Sequence, residues 1–170
     1  MDAHPRHGRP GRPRQGPGIR ARRDGRPARL AAPGHPAPID LDTAAIDKAI
    51  GRKGTTDGGI YKFSIARANT VTDGIHVLPP ALGITTGINF QSLGDKKAAI
   101  NGDFVMTAPE VQKVIRALRK GGIDIVELHN HSLNDQPRLF YMHFWATADG
   151  VTLAKALRPA LDATALAPAS

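Results

Sequence analysis

Residues 123–146 read IDIVELHNHSLNDQPRLFYMHFWA, and this stretch decides the fold. Ile123 to His131 has the composition of a strand. Its start is apolar on both faces, which predicts a central place in a sheet. Asn134-Asp135-Gln136-Pro137 is turn chemistry. Arg138 to Ala146 is then a second, aromatic-rich strand, so close in sequence that it should return antiparallel.

The clearest helix lies just upstream. Thr107 and Glu110 make a Thr-x-x-Glu capping box, Pro109 sits in the first turn, and Val111, Val114, Ile115 and Leu118 form one apolar stripe that Gly121-Gly122 ends. Further back, strands are expected over Gly87 to Leu93 and Ala98 to Met106, with Gly94-Asp95 as the turn and Asn101-Gly102 as a bulge or an alternative turn. Asp73-Gly74 marks a tight hairpin that Pro79-Pro80 ends, and Tyr61, Phe63 and Ile65 alternate with polar or small neighbours as in a half-buried strand. A first helix over Thr43 to Ile50 is capped by Asp42. A last helix after Asp149 buries Leu153, Leu157 and Leu161, with Pro159 expected to kink or shorten it. This order predicts an α+β fold, a mostly antiparallel sheet with helices packed on one face and a core order β-α-β-β-α.

The formal charge of +8 first suggests a polyanion binder. Its distribution argues otherwise. Residues 1–38 hold nine arginines against Asp2 and Asp24, a net +7, leaving 14 Lys+Arg against 13 Asp+Glu in residues 39–170. Rich in Arg, Pro and Gly and free of aromatic residues, residues 1–38 read as a disordered leader, and residues 39–170 as a single globular domain. The leader has nothing with which to read or stack on bases, so no specific nucleic-acid recognition is expected. No apolar run approaches a membrane span and none resembles an export signal; a soluble, cytoplasmic protein is the expectation. The absence of cysteine excludes disulfides and thiolate zinc sites.

Chemistry concentrates in the opening stretch. Outside residues 1–38 the histidines are His76, His129, His131 and His143; the chain has two glutamates, and Glu110 is occupied in its capping box. Glu127, His129 and His131 alternate along one strand and so share a face, with Ile123 and Ile125 continuing that face into the core. Tyr141, His143 and Trp145 share a face of the next strand. If His131 pairs with Leu139, His129 lies opposite Tyr141 and Glu127 opposite His143, and the polar groups converge; a one-residue slip would disperse them. The convergent register is expected.

Three imidazoles and a carboxylate suit Zn²⁺, Mn²⁺ or Fe²⁺. In this reading His129, His131, His143 and Glu127 hold a divalent metal, with Glu127 as ligand or general base, and Arg138 and Tyr141 contact a small polar ligand. Two alternatives stand beside it: a metal-free ligand or acid/base site, and a non-catalytic binding or interaction module whose histidines only organise the sheet. Asp103 could approach the site if its strand neighbours that of Glu127. Trp145 is expected in the core and His76 on the surface.

Several motifs resemble one family. Gly51-Arg52-Lys53-Gly54, Gly59-Ile60-Tyr61-Lys62, Leu78-Pro79-Pro80, Asn101-Gly102-Asp103-Phe104-Val105-Met106, Ala117 to Ile123, Glu127-Leu128-His129-Asn130-His131, Pro137-Arg138 and His143 are similar to the LppY/LpqO-type bacterial family, a domain of unknown function, over about residues 42–162. The resemblance implies a bacterial protein and draws attention to His129, His131 and His143, but implies no reaction. Members are often exported or lipid-anchored, which would suggest the envelope, yet no signal segment or lipobox cysteine is present. Members often carry two copies of the domain; a lone copy is expected to pair with itself as a homodimer.

Overall fold

A computed structural model describes residues 38–169. The leader expected over residues 1–38 thus lies outside the described residues except for its last position.

Asp42 caps α1 (Thr43–Ile50) by accepting from the Ala45 backbone N–H at 3.0 Å, and Gly51 ends it in the left-handed conformation. Four strands follow the alternation in the sequence: β1 (Thr55–Asp57), β2 (Ile60–Ala66), and the hairpin β3 (Val71–Asp73) and β4 (His76–Leu78). Tyr61, Phe63 and Ile65 of β2 are buried, and Asp73 pairs with His76 across the expected turn. A short 3-10 turn at Pro80–Leu82 leads into β5 (Thr85–Gly94) and β6 (Lys97–Thr107), joined at Asp95 and Lys96, both with positive φ. Then come α2 (Ala108–Lys120), β7 (Asp124–His129), β8 (Asp135–Gln136), β9 (Leu139–Asp149) and α3 (Gly150–Asp162).

Six strands form one antiparallel sheet in the order β1-β2-β5-β6-β9-β7, and β4-β3-β8 form a second. The fold is α+β, as expected. Ile46, Phe90, Ile100, Phe104, Met142 and Phe144 belong to the core shared with Val114, Leu118, Leu153 and Leu157 of the helices. Burying that core is the main force holding the layers together. On the opposite sheet face Val105, Leu139 and Tyr141 pack with Val71 and Ile84, so the small sheet covers one end of it. Among the described residues, nothing packs over the rest of that face. The capping box of α2 also anchors the fold: Glu110 accepts from the Thr107 and Ala165 backbone N–H groups and from the buried Arg67 guanidinium, 2.8 Å away.

Four expectations need correction. The Ile123–His131 strand is not central: β7 pairs with β9 alone and is an edge. Its two-sided apolar character reflects an irregularity between Ile125 and Glu127, where Val126 is an extra residue left 65% exposed. Asn101-Gly102 forms neither bulge nor turn, since Asn101 pairs with Asn89 and Gly102 with Ile88 in an unbroken ladder. Gly102 is there for room: a Cβ would come within 2.1 Å of the Gly87 carbonyl and 2.6 Å of the Phe144 ring. Pro159 sits inside α3 without ending it. Trp145, finally, is half exposed on the open face.

Candidate metal centre

The site is built on β9, flanked by β7 on one side and β6 on the other. The ladder sets Glu127 opposite His143 and His129 opposite Tyr141, the expected convergent register. It arises differently from the simple alternation. Ile125 pairs with Phe144 on the core face, and the extra residue Val126 turns Glu127 and His129 to the opposite face. Ile125 and Glu127 therefore do not share a face, and without the bulge either the apolar anchor or the polar site would be lost.

His131 arrives by another route. The ladder stops at His129 and the expected His131–Leu139 pair does not form; Thr107 pairs with Leu139, and the Leu139 carbonyl accepts from the Asn130 side chain. Freed from the ladder, His131 stacks on the Tyr141 ring at 3.4 Å between centroids, and its Nε2 lies 3.0 Å from His129 Nε2. Buried Asp135 braces the connecting loop by accepting from the Leu139 N–H at 2.9 Å. Arg138 donates to the Leu133 carbonyl and lies 3.4 Å from Asp135 Oδ1, so the structure places it in this brace. Tyr141 is buried beneath the histidines, and His76 is exposed on β4.

Asp103 completes the cluster. Its strand, β6, neighbours β9 and not β7, and it pairs with His143. Asp103 Oδ1 is 4.0 Å from His143 Nδ1, and Asp103 Oδ2 is 3.8 Å from His131 Nε2. The one sequence signal for it was a lone acid on β6; its partner could not be read there, because β6 and β9 are far apart in the chain.

Burial disfavours the charged form of both His131 and Asp103. Burial pushes Asp103 above the ordinary carboxylate range, partly offset by positive charge on His143, His131 and His129. His131 is pushed down, first by burial and further by charge on His129 and His143, against the pull of Asp103. A neutral imidazole is the form that binds metal. Burial raises Tyr141 to about 12, with the Asp135 and Asp103 charges adding to the rise.

Glu127, His129 and His143 each offer a ligand atom within 4.8 Å of the others, so this group could hold a metal ion. His143 Nδ1 lies 3.2 Å from the Gly102 carbonyl, which can only accept; Nδ1 therefore carries the proton and Nε2 keeps its lone pair. The His129–His131 nitrogen separation of 3.0 Å is close to the roughly 3.3 Å between two ligand nitrogens of tetrahedral zinc. Among the described residues, His129 Nδ1 and Asp103 Oδ1 are buried with no hydrogen-bond partner. Such atoms cost stability unless something satisfies them.

A family model described as Domain of Unknown Function (DUF1259) matches residues 44–163. No curated protein and no solved structure matches the chain. Among the described residues, no helix is long and apolar enough to cross a membrane.

Proposed function

The chain belongs to the DUF1259 family, whose description assigns no reaction, and for this member we propose a divalent-metal centre held by Glu127, His129 and His143, with His131 and Asp103 beside it, that binds a small polar ligand. The family motifs at residues 101–106 and 127–131, which support its reading as LppY/LpqO-type, are the strand segments that carry the site. The observation that carries the proposal is the grouping of Glu127, His129 and His143, each with a ligand atom within 4.8 Å of the others, beside His129 Nδ1 and Asp103 Oδ1, which are buried without a hydrogen-bond partner among the described residues. Zn²⁺, Mn²⁺ and Fe²⁺ all take such a mixed nitrogen and oxygen set. Glu127 Oε1, 4.0 Å from His129 Nδ1, stands where a carboxylate orients a metal-bound imidazole, and its exposure also suits a ligand or general base at the rim. Tyr141 backs the site, and in this reading Arg138 would contact a polar ligand only by leaving the Leu133 carbonyl and Asp135 that now hold it.

The test is elemental analysis of protein purified without a nickel column, beside a His129→Ala/His131→Ala variant. About one equivalent of a transition metal in the parent and far less in the variant is expected. Equal, negligible metal in both would leave the histidines as sheet-organising groups, the reading favoured by the stacking of His131 on Tyr141; the variant would then lose stability and no ligand.

A further inference from the structure

The part of the six-stranded sheet face that the small sheet and the other described residues leave uncovered forms a trough that starts at the histidines and runs across β6 and β5 to β2. Two adjoining cavities make it up. One, of about 400 Å³, reaches Asp103 and His143. The other, of about 310 Å³, reaches Lys62 and Gln91, and both are lined by Asn89, Asn101 and Trp145.

Three features of this trough are out of place on a merely solvated sheet. Trp145 lies there 46% exposed, although a ring of that size is worth most to a fold when buried. Asn89 donates to Asn101 Oδ1 at 3.0 Å, which uses one donor and one acceptor and leaves the Asn89 carbonyl and the Asn101 amide N–H groups facing the trough. Gly87, paired with Asp103 inside a ladder, has no positive φ to explain it, and a Cβ there would meet nothing within 4 Å. Glycine inside a strand weakens it and marks a place where another molecule approaches the backbone.

The charges narrow the class of that molecule. Among the described residues Lys62 is the one Lys or Arg lining either cavity, and it is paired with Asp57 at 2.6 Å. The far end carries the Asp103 carboxylate. Between Lys62 and that end, an uncharged polyol would find an aromatic platform and paired amide donors and acceptors, whereas a phosphorylated or sulfated ligand would find no unpaired side-chain cation among the described residues away from the metal site.

We propose that the trough binds a neutral carbohydrate chain, a sugar face lying on Trp145, hydroxyls on Asn89 and Asn101, and one end passing over Gly87 toward Asp103 and His143. The proposal adjoins the metal reading, shares with it only the Asp103 and His143 end of the trough, and stands on Trp145, Asn89, Asn101 and Gly87. Trp145 is the only tryptophan in the chain, so its fluorescence reports on the trough directly. Titration with cellotetraose, chitotetraose and maltotetraose to millimolar concentration, with and without chelator, should give a saturable change with at least one of them and none with a heparin tetrasaccharide. Gly87→Val fills the floor with a residue that strands favour, and Asn101→Ala removes the amide; each should weaken binding about tenfold or more while thermal unfolding confirms the fold. No saturable change with any neutral sugar, a preference for heparin, or unaltered affinity in both variants would overturn the proposal. A sugar response in protein that holds no metal removes the metal reading alone; metal binding without a sugar response removes this one alone.

Discussion

Asp103 faces His143 across the β6–β9 ladder, its Oδ1 4.0 Å from the imidazole Nδ1 and without a hydrogen-bond partner. The carboxylate is held where its charge is poorly solvated, a destabilised arrangement of the kind that functional sites retain. Asp103→Asn should therefore separate stability from binding. Because the folded-state pKa of Asp103 is raised, ionisation works against folding: the penalty is absent below the ordinary carboxylate range and grows as pH rises through the elevated value. In chelator at neutral pH the variant should resist urea better than the parent and lose that advantage in acid, while zinc affinity by calorimetry falls at least about tenfold. A variant less stable than the parent at neutral pH would contradict the reading.

Glu110 holds Arg67, Thr107 and Ala165 together from one carboxylate. Burial alone would push its pKa up, but the hydrogen bonds from Arg67, Thr107 and Ala165 outweigh burial and hold it low. Its contribution is present above the unfolded-state carboxylate range and is lost as pH falls through the depressed value. Glu110→Ala leaves the Arg67 charge buried and unpaired and should cost about 3–5 kcal/mol in denaturant unfolding. The loss should shrink in acid.

Two glycines on adjacent strands should behave in opposite ways. Gly102→Ala drives a methyl into the Gly87 carbonyl and the Phe144 ring and should destabilise by about 1–3 kcal/mol or more. Gly87→Ala places its methyl in open space and should gain about 0.5–1 kcal/mol by stiffening the unfolded chain. Thermal unfolding of the two variants in parallel would reveal the contrast, and equal effects would count against the packing described.

The chain has two tyrosines, Tyr61 and Tyr141, and burial is the leading cause that raises each to about 12, helped by Asp47 at Tyr61 and by Asp135 and Asp103 at Tyr141. Raised phenol pKa values mean that folding favours the neutral ring. Stability on this account is complete below pH 10 and is lost as pH rises toward 12. Ultraviolet titration of the native protein should show no tyrosinate step near pH 10, with ionisation and unfolding arriving together above it. A reversible step at the ordinary value in folded protein would mean that at least one ring is open to water.

Local signals carried far along this chain. Asp42, Gly51, Asp73-Gly74 and the Thr107–Glu110 capping box act through neighbours within a few residues, so their helices and turns could be read directly. The alternation of Tyr141, His143 and Trp145 fixed which of them share a face. Val126 defeated the same logic on β7: an extra residue in a strand leaves no mark in a period-2 pattern, so Ile125 and Glu127 were placed together when they lie on opposite sides. Trp145 misled for a related reason, since its size predicts burial and only the absence of a covering layer over that part of the sheet leaves it open.

By itself, the sequence determined the helices and most strands, their caps and turns, and the near-neutral charge of residues 39–170, because each depends on spacing or composition along the chain, whereas the convergence of Glu127, His129 and His143 needed the Val126 bulge and the β7–β9 register. Only the tertiary structure decided that β7 is an edge, that Asp103 joins the histidines from β6, and that a trough lined by Trp145 and Asn101 leads away from them. Those outcomes depend on which strands pair across long loops and on what covers a sheet face, and that choice is made by the burial of the whole core.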